Sequence, residues 1–349
     1  MRHSNRTSRP IRWRLIAGIM LFDVGLFFAV AAYMLRSKPN ADTLIPISSN
    51  GRVIYEVPER TSASFLIQDL TAKKLIRFPF AFKTFLALTG QDRRIRAGFY
   101  SLPLRSSAVE LARLLTSGKM ATQSVTMPEG KAAWEIFGIL RKVFPLDSLL
   151  FDSLVRAPDF ARSVGIEAPG LEGYLFPDTY VLPYRVSEQM VLTFLAKRFL
   201  EVSASMPMGE GLGSKSIHGW VTLASIVEKE AAVKKEQGLI AGVFQNRLRL
   251  GWPLGADPTV RYALRKLTGP LHVSELNMDS PYNTRRFPGL PPGPICNPGR
   301  GALLAALTPQ KTEMMFFVAK DDGSREHYFS TTNFEHNQFK ILASKNRGE

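Results

Sequence analysis

Thr222-Leu223-Ala224-Ser225-Ile226-Val227-Glu228-Lys229-Glu230-Ala231-Ala232-Val233-Lys234 is the stretch around which this 349-residue chain is read. It holds no Gly or Pro and its apolar residues recur at helical spacing, so it reads as helix. At about 100° per residue, Leu223, Ile226, Val227 and Glu230 fall on one narrow stripe, while Glu228 points to the far side, near Lys235. Glu230 is therefore a carboxylate in the middle of an apolar face, and Glu228 reads as an ordinary solvated one. Desolvation disfavours the charged form of a carboxyl group and raises its pKa. A Glu held that way stays protonated near neutral pH and can serve as a general acid. A Glu at the margin of a helix face, reaching water or pairing with an Arg, is the plainer reading of the helix alone.

Moving outward, residues 171–180 place Tyr174, Phe176 and Tyr180 beside Glu172, Asp178 and Pro177. An aromatic-lined loop suits carbohydrate, whose apolar ring faces stack on flat rings; a loop covering the core is the alternative. Glu172 is the acid here that best fits a cleft. Residues 187–202 read as a helix followed by a Gly/Ser/Met-rich loop to Ser216. Beyond the central helix, 239–250 is another helix, containing Gln245-Asn246-Arg247 and ended by Gly251. Asp257-Pro258 looks like an N-cap followed by Pro at the first helical position, so Asp257 is a structural cap before it is a catalyst. Residues 280–284, with Tyr282 and Asn283, form a polar loop. Residues 287–299 are so rich in Pro and Gly that they read as ordered loop, a candidate cleft wall. Strands at 315–319 and 327–330 flank a turn at 321–323, and His336 falls in a last short helix.

The amino-terminal part is organised differently. Residues 1–14 hold five Arg and no acid, and residues 15–35 hold one charge, Asp23. Twenty-one helical residues span about 30 Å, the thickness of a bilayer core. The flanking Arg cluster sets the N-terminus inside and the rest outside the cytoplasm. A cleaved signal peptide would carry a shorter apolar region and a small-residue cleavage site, so an uncleaved anchor is expected. Residues 36–50 read as a tether. A small α+β module follows over 51–122: strands at 53–57 and 97–102, an N-cap at 61–64, an apolar helix at 78–88, and a helix from Ser106 that stops at Gly118. Beyond it, Val125-Thr126-Met127 reads as a strand, and 132–143 and 146–156 as helices.

Lys+Arg number 45 against 30 Asp+Glu, a net charge of +15. Such a charge suits an anionic partner; export weakens the nucleic-acid reading, which is the fallback if the membrane span is wrong, and favours anionic lipid or an acidic wall polymer. One Cys, Cys296, excludes an intramolecular disulfide. There is no CxxC, HExxH or GxxxxGK[ST], and the five His lack metal-ligand spacing, so neither metal nor cofactor is expected.

Taken together, residues 171–180, 223–230, 244–248, 257–260, 282–284, 289–299 and 327–330 resemble the YceG-like family, the MltG endolytic murein transglycosylases. The resemblance implies an α+β protein. It has one transmembrane helix, a LysM-like module over 51–122, a catalytic domain over 123–340 with a lysozyme-like helical active-site region, and a tail over 341–349. It implies an inner-membrane enzyme acting on peptidoglycan glycan strands beside synthases such as penicillin-binding proteins. The catalytic acid it implies is Glu230, with Glu172, Tyr174, Asn246, Tyr282 and Asn283 as candidate substrate-binding residues. Glu230 would donate a proton to the β-1,4 bond between MurNAc and GlcNAc, then take one from the attacking C6 hydroxyl to leave a 1,6-anhydro end. Many members carry Thr or Ser where this chain has Ala231. The alternatives are a lysozyme-type hydrolase, with Glu172 or Asp257 as second carboxylate, and a non-catalytic wall-binding scaffold.

Overall fold

The central helix is shorter at one end and longer at the other than its sequence suggests, and the reason is tertiary. It starts at Ile217, where the Ser216 hydroxyl accepts from the Gly219 N–H, and ends at Glu230, because Ala231 turns to extended backbone (φ −76°, ψ 96°). Residues Trp220 to Val227 are buried on every side, so the helix is a core element rather than an amphipathic one. The computed structural model describes residues 11–39, 51–207 and 216–347. Residues 1–10 of the expected cytoplasmic arm (1–14), residues 40–50 of the expected tether (36–50), the loop at 208–215 and residues 348–349 lie outside the described residues. The chain divides into two units, residues 1–122 and 123–349.

In the first unit, α1 (Ile11–Arg36) contains a 24-residue, largely apolar stretch, Trp13–Arg36, whose most apolar 18-residue window has mean hydropathy 2.3. It is long and apolar enough to cross a membrane. Strand β1 (Arg52–Val57) pairs antiparallel with β2 (Gly98–Pro103), Arg52 opposite Pro103 and Val57 opposite Gly98. Between them come α2 (Ala63–Ala72), capped by Ser62, and α3 (Pro79–Thr89), opened by its Pro and closed by Gly90. Helix α4 (Ala108–Thr116) carries a Ser107/Glu110 capping box. Val53, Tyr55, Leu70, Phe82, Tyr100 and Leu115 build this unit's own core.

The second unit opens with β3 (Thr122–Thr126), paired with β4 (Thr179–Pro183). Three short helices lie between them, α5 (Ala133–Leu140), α6 (Ser148–Val155) and α7 (Pro158–Ser163), where the sequence suggested two longer ones. After α8 (Glu188–Ala204) comes the central helix, α9 (Ile217–Glu230). A 3-10 turn (Lys234–Glu236) leads into α10 (Gln237–Arg249), then α11 (Asp257–Leu264), α12 (Val273–Leu276) and α13 (Arg300–Leu307). A hairpin follows: β5 (Phe316–Ala319) against β6 (His327–Ser330), with Phe316 opposite Ser330 and Ala319 opposite His327. Helix α14 (Asn333–Asn346) runs well past residue 340, so the segment expected as a tail is mostly helical.

Helix α9 packs chiefly on α13 and α10, and the Trp220 indole N–H donates to the Leu303 carbonyl at 2.8 Å. The Pro-rich loop 287–299 is stitched to this centre. The Ile295 N–H donates to the Ser225 hydroxyl at 3.0 Å, and the Asn297 amide bridges the Leu175 N–H (2.7 Å) and the Lys131 carbonyl (2.9 Å). Residue 173 must be Gly for the loop to lie there. Its φ is +89°, and a Cβ would sit 2.5 Å from Pro294 and 2.9 Å from Val221.

Candidate active site

Because α9 ends at Glu230, that side chain leaves the core at the rim of a groove of about 720 Å3. Burial pushes its pKa up to about 8. The negative charge of Asp257 adds to the rise, and Arg247 and Arg285 oppose it. The carboxyl is thus kept protonated at neutral pH by desolvation and a like-charged neighbour. Three elements supply those neighbours. Arg247 comes from α10; its guanidinium donates to the Met315 carbonyl (2.8 Å) and the Leu254 carbonyl (2.6 Å) and lies 5.4 Å over the Phe316 ring. Asp257 is the first residue of α11, with Ala256 in the cap position, so the expected N-cap is displaced by one residue. Its carboxylate faces Arg285 at 2.5 Å instead of capping the helix. The Ala256 N–H donates to Thr284 Oγ1 (3.1 Å), and Thr284 and Thr259 share a buried contact (3.0 Å) that fixes where α11 begins.

The hairpin and α14 add Phe316, Phe317, His327, His336 and Lys340 to the groove lining. Four permanent cations, Arg247, Arg285, Arg286 and Lys340, line it with two carboxylates, Glu230 and Asp257. Glu228 is not the solvated residue its helical angle suggested. It is half-buried and accepts from the Gly299 N–H at 3.3 Å. Burial and nearby Glu129 raise its pKa, because the Pro-rich loop closes over the face that the isolated helix would leave open.

A second cavity of about 530 Å3 contains Glu172 and Tyr282, with Trp134, Tyr262, Arg156 and His218. Its rings form a row, with centroids 4.9 Å apart for Trp134 and Tyr262 and 5.1 Å for Tyr262 and Tyr282. Glu172 accepts from the Ala133 N–H at the start of α5 (3.1 Å), from Asn297 Nδ2 (3.1 Å) and from the Tyr262 hydroxyl (3.3 Å). Burial pushes its pKa up to about 7 against those hydrogen bonds. Helix α11 joins the two cavities: Asp257 lines the first and Tyr262 the second, about 8 Å further along the axis.

The other expected substrate contacts are built into walls. Tyr174 is 1 % exposed, and its hydroxyl meets His218 Nδ1 at 3.0 Å. Asn283 is 0 % exposed and donates to the Leu276 and Met278 carbonyls, both at 2.9 Å. Asn246 donates to the Thr312 (2.8 Å) and Met314 (3.1 Å) carbonyls. Each amide saturates backbone carbonyls, a role that residue type alone does not reveal. Arg247, Arg285 and His327 were not singled out from the sequence. A cation placed to meet the apolar-face Glu was the available signal for Arg247. Among the described residues, no cluster of three or more His, Cys, Asp or Glu side chains is arranged to hold a metal ion.

A sequence profile described as the YceG-like family matches residues 55–340. The chain is 31 % identical over 326 residues to a Bacillus subtilis (strain 168) protein named endolytic murein transglycosylase, covering 87 % of this chain and 89 % of that one. It is 27 % identical over 323 residues to a Streptococcus pneumoniae (strain D39) protein of the same name, covering 82 % of this chain but 58 % of the longer relative. A crystal structure of a yceG-like protein from Listeria monocytogenes aligns with a TM-score of 0.56 at 30 % identity, covering 82 % of this chain and 98 % of that one.

Proposed function

This chain belongs to the YceG-like family, and on that footing we propose that it is an endolytic peptidoglycan lytic transglycosylase with Glu230 as its acid. One observation carries the reading: a carboxyl at the end of a buried helix, opening on a groove, with its pKa pushed up to about 8. Protonated Glu230 donates to the oxygen of the β-1,4 bond between MurNAc and GlcNAc as that bond breaks. Positive charge develops at C1 of MurNAc, and the C6 hydroxyl of the same sugar attacks it. The proton lost from that hydroxyl restores the Glu230 carboxyl, so the product is a 1,6-anhydro end and no water is consumed.

The cationic lining supports an acidic wall polymer as substrate. Tyr282, Tyr262 and Trp134, with Glu172 behind them, continue the cradle for the strand, since α11 connects that aromatic row to the groove. Tyr174, Asn246 and Asn283 position these walls and are not proposed as sugar contacts. The strand–helix–helix–strand order of the first unit supports a LysM-like module, and α1 supports a single-pass inner-membrane anchor with the catalytic unit outside the cytoplasm.

A hydrolase is the second reading, favoured by one specific feature: Asp257 lines the same groove as Glu230, and ordinary glycosidases use such a pair. Digestion of purified sacculi by the full-length chain in detergent separates the two, because anhydro ends are lighter than reducing ends by one water. The expected result is anhydro ends from the wild type and none from Glu230→Gln. Anhydro ends released by Glu230→Gln at the wild-type rate would overturn the assignment.

A further inference from the structure

The chain that leaves Glu230 turns back within six residues to hold a histidine of the same groove. His327, the first residue of β6, lines the cavity with Glu230. Its Nδ1 lies 2.7 Å from one oxygen of Glu236, and its backbone N–H donates to the other at 3.0 Å. Glu236 is 8 % exposed. The backbone contact alone would tether β6 to the turn. The ring contact does something further: it fixes the orientation and the tautomer of the imidazole. With the Nδ1 proton donated to Glu236, the neutral form of the imidazole has its lone pair on Nε2, an atom that among the described residues makes no hydrogen bond. The Phe317 ring, edge-on at 5.5 Å, and the tilted Phe329 ring at 6.3 Å hold the imidazole in place. A carboxylate behind one imidazole nitrogen and an open lone pair on the other is how proteins prepare a histidine base.

We propose that His327 is the base that receives the proton of the attacking sugar hydroxyl, and that Glu236 is its positioning partner. The inference rests on the transglycosylase reading and divides its proton handling between two groups. The Glu230 carboxyl gives its proton to the leaving oxygen as the C1–O bond breaks. The O–H bond of the C6 hydroxyl breaks, its proton passes to Nε2 of His327, and its electron pair forms the new O6–C1 bond. The imidazolium, compensated by Glu236, then returns its proton to the Glu230 carboxylate.

The test uses the full-length chain in detergent, purified sacculi, and product masses with initial rates. His327→Ala is expected to lower kcat about 100-fold with KM changed less than about twofold. Added imidazole, which fits the vacated space, is expected to restore at least about tenfold of that loss. The remaining products should shift toward reducing ends, as water competes with an unactivated hydroxyl. Activity of His327→Ala within about threefold of wild type overturns the proposal. So does a folded His327→Ala that imidazole does not restore. Should His327→Ala not fold, Glu236→Gln decides: a kcat loss at unchanged KM supports the pairing, and wild-type kcat removes it. A wild-type digest without anhydro ends removes the reaction itself; wild-type anhydro ends with an unaffected His327→Ala remove this inference alone.

Discussion

Glu230 and Glu228 stand two positions apart on α9 and burial raises the pKa of both, yet only Glu230 lines the main groove. In the proposed mechanism Glu230 must carry its proton in the free enzyme, so kcat/KM is expected to fall as pH rises through about 8. Asp257→Asn removes the like charge that holds the proton on and leaves Arg285 uncompensated. Both changes favour the charged form, so the alkaline limb should move to lower pH by about one unit. A pH–rate profile with an unmoved or higher limb would contradict the assigned neighbour. Stability gives an independent check. The folded pKa lies above the ordinary 4.5, so between those values the folded chain holds a proton that the unfolded chain has lost. The destabilisation from Glu230 therefore grows from about pH 4.5 to about 8 and levels off above. Glu230→Gln should be the more stable protein at the top of that window, by roughly 4 kcal/mol less the cost of burying the Gln amide, and thermal unfolding at several pH values reads it directly. The apolar stripe made Glu230 legible from thirteen residues. Asp257 was legible as a cap and only secondarily as a possible second carboxylate, because Asp-Pro is a strong local signal for a cap; the carboxylate instead meets Arg285, a partner that only tertiary closure brings near.

Helix α10 shows what elements add. Gly238, Gly242 and Asn246 recur every four residues and so share one face, which grips the segment entering β5. The Gln310 N–H donates to the Gly238 carbonyl at 3.0 Å, Asn246 holds the Thr312 and Met314 carbonyls, and Arg247 holds Met315. A Cβ at residue 242 would lie 2.3 Å from the Gln310 carbonyl oxygen, whereas one at 238 would meet only the Gln310 side chain at 3.7 Å. Gly242→Ala is therefore expected to cost about 1–3 kcal/mol through overpacking and to lower activity by displacing the Phe316–Phe317 wall. Gly238→Ala should be neutral or stabilising by up to about 1 kcal/mol through helix propensity. Equal melting temperatures for the two variants would show that the helix face does not set the wall. The helices and strands themselves were mostly legible, since caps and periodicity are local. The work done by Asn246 was not, because an amide that saturates carbonyls and one that binds sugar look alike in sequence.

The whole chain joins parts that make opposite demands on solvent. Each unit has its own core, one around Tyr55, Phe82 and Tyr100, the other around α9, and units with separate cores can fold separately. Helix α1 has no comparable burial: Leu15, Phe22, Phe27 and Phe28 are all more than half exposed. A largely apolar stretch of 24 residues, Trp13–Arg36, left open to water favours a bilayer, and at about 1.5 Å per residue it spans one. Five Arg in residues 1–14 favour retention of that end on the cytoplasmic side. The full chain is accordingly expected to stay with membranes through alkaline carbonate washing and to need detergent for release. A chain starting at residue 40 should be soluble, unfold cooperatively, and still digest purified sacculi in solution at a rate within about threefold of the detergent-held full chain, because neither cavity wall draws on α1. Its products are the sharper readout. An enzyme tied to the membrane reaches only strands near that surface, so in cells the soluble form should cut strands that the anchored form spares. Chain-length analysis of wall glycans from cells carrying one form or the other measures this. Identical glycan profiles from the two would mean that α1 contributes nothing to where the enzyme cuts.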